Sequence, residues 1–188
     1  GCRDMEKSLA LQLGALQKSM DYQADIPNFL EPWYGIGTVA SAFGIDYTWS
    51  DGQAPAFTPR FKSLKEALSA PVTPVKDTPI GRRTLTMIDY FLQETQGRLP
   101  ISLCDVQSAF NSAAMLVDMN ALLLGFYDSP DLIAKLLDRI LRLLTDFIQE
   151  QVDHIGESLV WPGHGFASSR VFEGLGMSDD YSILISAD

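Results

Sequence analysis

The chain has 188 residues and a mass of 20.7 kDa, with 46% hydrophobic and 20% charged residues. That is enough apolar material for one domain with its own core, and too much for a disordered chain. Lys+Arg number 14 against Asp+Glu 24, a formal charge of −10, which disfavours nucleic acid and anionic membrane surfaces as main partners. A small-molecule substrate, even an anionic one, stays admissible because a pocket can be locally positive on an acidic protein. Cys2 and Cys104 give neither a disulfide framework nor a metal-binding spacing, so a reduced, cytoplasmic setting is expected. The opening GCRDMEKS lacks the positive-then-apolar order of a signal peptide. Gly1 in place of Met reads as a scar or an internal start.

Residues 3–22 carry Leu9, Leu11, Leu13, Leu16 and Met20 among polar residues, which predicts an amphipathic helix. Pro27 and Pro32 bracket Asn28-Phe29-Leu30-Glu31, a short strand candidate that ends in a turn at 32–35. Small residues over 37–43 suit a helix packed on a sheet, stopped by Gly44. Residues 45–49 alternate as a short strand. A proline- and glycine-marked loop covers 50–62. Ser63 with Glu66 three residues later is a capping-box pattern for the next helix. Residues 69–79, with Pro71, Pro74 and Pro79, form a second connector. Residues 84–96 are helical by periodicity. LPISLC (99–104) is the best strand candidate, followed by a helix over about 111–124. Ser129-Pro130-Asp131 starts a long helix to about residue 154. Lys135, Asp138, Arg139, Arg142 and Asp146 interrupt it, so it is not a membrane span. Residues 158–161 and 183–185 are further strands. This order predicts an α/β fold with a parallel sheet. The abrupt end after Ile185 reads as a piece of a larger chain.

In parallel α/β folds, chemistry collects just past the C-terminal ends of strands. Glu31-Pro32-Trp33-Tyr34 places a carboxylate beside two aromatics, where acid/base work can arise. A solvated acid next to core aromatics is the commoner circumstance. Cys104-Asp105-Val106-Gln107 can bind a polar substrate or a metal, although a buried strand-end Cys is more often plain core and Asp105 can cap the next helix. Ser178-Asp179-Asp180 can share a proton or bind a cation, with at most one of the two acids facing a pocket; an acid-rich turn is the commoner circumstance. His164, between two glycines, can serve as a general acid or be an ordinary loop residue. Gly35-x-Gly37 and Gly174-x-Gly176 lack the third glycine of a phosphate loop. Arg82-Arg83 can meet an anion or stay solvated.

Several blocks taken in order resemble the uroporphyrinogen decarboxylase superfamily, which includes decarboxylases and zinc-dependent corrinoid methyltransferases. IPNFLEPWYGIGTVASAFG (26–44) resembles its first barrel strand and following helix, with Glu31 where decarboxylases carry an essential Asp. GQAPAF (52–57) resembles its proline loop, and LPISLCDVQSAF (99–110) the strand before a Gly-Pro-aromatic substrate loop. YDSPDLIAKLLDRI (127–140) and SDDYSILISAD (178–188) are similar to its "DPE…LL" helix start and "DD…ISPE" strand end. The resemblance implies a parallel (β/α)8 TIM-barrel type, with about half of the barrel within residues 1–188, taken as one domain. The substrate loop here departs to Asp105-Val106-Gln107, and the family's tyrosine falls near Ala113. The Arg-rich loop and the His-x-Cys zinc motif have no match in this sequence.

The resemblance implies first a cofactor-free decarboxylase of a tetrapyrrole polyacid. Glu31 and Asp179 are then its catalytic acids, and Trp33, Tyr34, Cys104, Asp105, Gln107, His164 and Asp180 contact the substrate. It implies second a methyltransferase between a corrinoid and a thiol, for which zinc is admissible, with ligands beyond Asp188. A non-catalytic binding protein or an inactive fragment is the third reading, because half a barrel leaves two unpaired sheet edges. Self-association into a homo-oligomer is compatible with each.

Overall fold

The computed structural model describes residues 2–22, 28–162 and 174–185. Its helices are α1 (Met5–Ser19), α2 (Leu64–Ser69), α3 (Pro79–Thr95), α4 (Ala109–Leu116), α5 (Met119–Asp128) and α6 (Pro130–Ile155). Its strands are β1 (Ile101–Ser102) and β2 (Leu159–Val160). Short 3-10 turns lie at Ala40–Phe43, Val75–Asp77, Gly156–Ser158 and Tyr181–Leu184. The chain divides into two compact units: Gly1–Tyr34, Arg82–Asp105 and Ile148–Gly176 form the first, and Gly35–Gly81, Val106–Phe147 and Met177–Asp188 the second. Among the described residues no helix is long and apolar enough to cross a membrane.

In the first unit β1 and β2 pair in parallel, with Ile101 opposite Leu159 and Ser102 opposite Val160. Leu30 adds a parallel bridge to Ile101. Its N–H donates to Pro100 C=O and its C=O accepts from Ser102 N–H, both at 2.9 Å. Those two groups face away from β2, so β1 is flanked on both edges. Parallel strands need cover on both faces, and Leu30, Ile101, Leu103 and Val160 are all buried. Leu9 of α1, Leu85, Met87, Ile88 and Phe91 of α3, and Ile155 of α6 complete this core.

In the second unit α4 packs against the 3-10 turns at Ala40–Phe43 and Tyr181–Leu184 and against α5, while α2 packs on α5. Buried Ile133, Leu136, Ile140, Leu144 and Phe147 of α6 recur at helical spacing and form one wall of the core. Arg139 sits on the same helix. Its guanidinium donates to the carbonyls of Leu68 at 2.8 Å, Ala67 at 3.3 Å and Ala70 at 2.8 Å, which closes the C-terminal end of α2. It also lies 5.4 Å from the Phe43 ring centroid.

The result is a helix-rich α/β fold with a parallel two-stranded sheet. Ser63 caps α2 by accepting from Glu66 N–H, but Glu66 reaches back to Lys62 N–H rather than to the cap itself. The single helix expected over 111–124 is two helices. Val117 turns extended to bridge Phe61 in parallel, and Asp118 then caps α5 through Asn120 and Ala121 N–H. The small-residue helix at 37–43 is only a 3-10 turn, ended by Gly44 at φ 79. The strand expected at 45–49 is a single antiparallel bridge, Thr48 to Ala56. The strand expected at 183–185 is replaced by the 3-10 turn Tyr181–Leu184, whose Ile183 is 85% exposed. An apolar triplet predicts a strand only where it is buried, and this one is not.

Replacing Arg139 with Leu keeps the apolar stem but leaves those carbonyls without their charged donor. The expected loss is about 2 kcal/mol of stability, read as a lower urea midpoint at unchanged slope.

Candidate functional site

The parallel pairing decides where polar residues can gather. Glu31 follows Leu30 directly, and Asp105 follows the end of β1. Glu31, Trp33 and Tyr34 are half-buried, whereas Asp105 is only 4% exposed. A buried carboxylate needs donors, and Trp33 Nε1–H donates to Asp105 Oδ2 at 3.3 Å. Glu31 and Trp33 also line one cavity of about 290 Å³, together with Cys2, Ser8, Leu11 and Gln12. Burial pushes the Cys2 thiol above its usual range, so it is a poor thiolate at neutral pH. Tyr34 carries the Arg83 guanidinium at 5.7 Å from its ring centroid.

Cys104 is buried at 3% exposure, and its N–H donates to Gln151 Oε1 at 2.8 Å. The described residues contain no group of three His, Cys, Asp or Glu side chains that could hold a metal ion. Asp105 does not cap α4. That task falls to Ser108, which accepts from Asn111 N–H at 3.0 Å.

The second unit holds the other described candidates. Gln107 bridges Ser178 in parallel and accepts from Asn111 Nδ2 at 2.9 Å. Asn111 Nδ2 also donates to Ser178 C=O at 3.3 Å, and its Oδ1 accepts from Tyr181 N–H at 3.0 Å. Gln107, Asn111, Asp180 and Tyr181 line a cavity of about 350 Å³ with apolar walls that include Phe57 and Met115. Asp179 is exposed, and its backbone C=O accepts from Ser182 Oγ. His164 lies outside the described residues.

Three amides outside the strand-end candidates organise these places: Gln12, Asn111 and Gln151. Gln151 had a legible signal. It sits four residues from both Phe147 and Ile155, so a polar side chain interrupts the apolar stripe of α6 and is fully buried there. Asn111 likewise lies in an apolar helix and is 1% exposed. Gln12 stands in an exposed helix and carries no such signal.

Replacing Trp33 with Phe keeps most of the ring but removes the indole N–H, leaving buried Asp105 one donor short. The expected cost is about 1–3 kcal/mol of unfolding free energy, measured by denaturant titration.

The family profile described as Uroporphyrinogen decarboxylase (URO-D) matches residues 15–163. Among solved structures, the fold is similar to that of a methyltransferase from Methanosarcina mazei, at a TM-score of 0.58 and 16% sequence identity. That likeness covers 67% of this chain and 37% of the methyltransferase, so the chain spans little more than a third of it. No curated protein matches the sequence at a significant level. With most of its length matched by the family profile, the chain belongs to the uroporphyrinogen decarboxylase family.

Proposed function

We propose that the chain carries part of the substrate site of a decarboxylase that acts on a tetrapyrrole polyacid without a cofactor. One observation carries the reading: Trp33 lines a cavity with Glu31 and donates to buried Asp105, so one aromatic side chain adjoins the cavity of one strand-end acid and is bonded to a second. Family membership supports the same reading. Leu30, β1 and β2 are taken as successive strands of a (β/α)8 barrel, whose chemistry collects at the C-terminal ends.

In this reading a pyrrole ring bearing an acetate side chain is protonated and becomes cationic. The bond to the side-chain carboxylate then breaks, its electron pair flows into the ring to leave an exocyclic methylene, and carbon dioxide leaves; the methylene carbon then takes up a proton and the ring gives up the one it gained. The net change is one acetate group plus one proton converted to a methyl group plus carbon dioxide. Glu31 stabilises the cationic intermediate by its negative charge, an effect worth most in a site that excludes water. Trp33 and Tyr34 are read as aromatic contacts to the substrate. Asp105 holds Trp33 in place. In the second unit, Gln107 and Asp180 are read as substrate contacts within their own cavity.

A second reading, methyl transfer between a corrinoid and a thiol, draws on the fold shared with the Methanosarcina mazei methyltransferase. Zinc in that reading supplies thiol activation. The described residues do not form a ligand set for it.

The test is carbon dioxide release from a tetrapyrrole with acetate side chains. Glu31→Gln is expected to lower the rate ~10²–10³-fold. A Glu31→Gln variant with the full rate contradicts the assignment, and zinc-dependent methyl transfer without carbon dioxide release favours the second reading.

A further inference from the structure

Glu31 owes its place to a side chain nineteen residues earlier. Leu30 turns its N–H and C=O toward Pro100 and Ser102. Successive peptide groups of an extended segment face opposite edges, so those of Glu31 face away from β1. Gln12 of α1 meets both of them. Its Oε1 accepts from Glu31 N–H at 2.8 Å and its Nε2 donates to Glu31 C=O at 3.0 Å. A carboxamide presents one donor and one acceptor side by side, as a peptide group does, so one side chain satisfies both backbone groups of Glu31. Ser8, one turn earlier on α1, steadies the clamp by accepting from Gln12 Nε2 at 3.3 Å.

The clamp reaches further along the chain. Glu31 C=O also accepts from Trp33 N–H at 2.8 Å, so both of its lone pairs are used. That tight turn carries Trp33 toward Asp105, where its indole N–H is accepted. Gln12, Glu31, Trp33 and Asp105 therefore form one continuous run of hydrogen bonds. Gln12, Glu31 and Trp33 line the same cavity.

We infer that Gln12 is a positioning residue: it fixes the Glu31 backbone from the side facing away from β1 and so sets where the Glu31 carboxylate meets its substrate. The inference rests on the decarboxylase reading of Glu31. Gln12 touches only the backbone of that residue, so its loss leaves the carboxylate chemically intact but less well placed, and misplacement of a reacting group is costly in rate.

The experiment compares wild type, Gln12→Ala, Gln12→Leu, Glu31→Gln and the double variant Gln12→Ala/Glu31→Gln. Alanine favours helix, and leucine keeps the bulk, so α1 is retained in both single Gln12 variants. Amide hydrogen exchange at Glu31 is expected to quicken about tenfold or more in both, while exchange at Leu30 and Ser102 stays unchanged. The value of kcat for carbon dioxide release is expected to fall about tenfold or more, with KM within about twofold. The double variant should be no slower than Glu31→Gln, because a misplaced carboxylate that is no longer charged has nothing left to lose. Equal exchange at Glu31 in wild type and Gln12→Leu overturns the clamp. If Glu31→Gln is slow while both Gln12 variants keep wild-type kcat, this inference alone falls. If Glu31→Gln keeps the full rate, the decarboxylase reading beneath it falls as well.

Discussion

The parallel pairing of Leu30 with Ile101, and of Ile101–Ser102 with Leu159–Val160, is the constraint on which the first unit depends. Strand direction decides which ends carry function. Because the three segments run the same way, Glu31 and Asp105 emerge at one end rather than at opposite ends. Register matters as much as direction, since a slip of one residue reverses every side chain. The tight burial of Leu30, Ile101, Ser102 and Leu103 makes such a slip expensive, as Glu31 would be driven into the buried position that Leu30 holds.

Strands of two residues leave many peptide groups without ladder partners, and buried peptide groups demand partners. Side-chain amides meet part of that demand. Gln12 serves Glu31, Gln151 serves the N–H of Cys104, and Asn111 serves Ser178 and Tyr181. Each amide is held by a helix, so helix position and strand-end position are coupled through hydrogen bonds as well as through apolar contact. Net gains of about 0.5–1.5 kcal/mol per bond are modest, but an orphaned buried partner costs about 1–3 kcal/mol, so these amides specify geometry more than they add stability.

Much of this was legible in the sequence, and the failures have local causes. The apolar stripe of α6 and the Ser-Pro-Asp start gave its extent to within a residue. The capping pattern at Ser63 located α2. LPISLC gave β1, and 158–161 gave β2. The break at Val117 was hidden because a run of apolar residues fits one long helix as well as two, and only the bridge to Phe61 decides. Ile183 and Leu184 misled because periodicity is silent on exposure. Of the site residues, Glu31, Trp33 and Asp105 could be singled out one by one as strand-end polar or aromatic groups. Their connection through the indole N–H could not, because it joins residues 72 positions apart. Gln12 could not be found from sequence at all: its partners are backbone atoms, which leave no mark in the residue pattern.

A crystal structure that resolves residues 28–34, 99–106 and 158–161 tests the central claim most directly. The account requires Leu30 N–H on Pro100 C=O, Ser102 N–H on Leu30 C=O, and the Trp33 indole within bonding distance of the Asp105 carboxylate. An antiparallel pairing there, or a register displaced by one residue, would separate the two acids and contradict it.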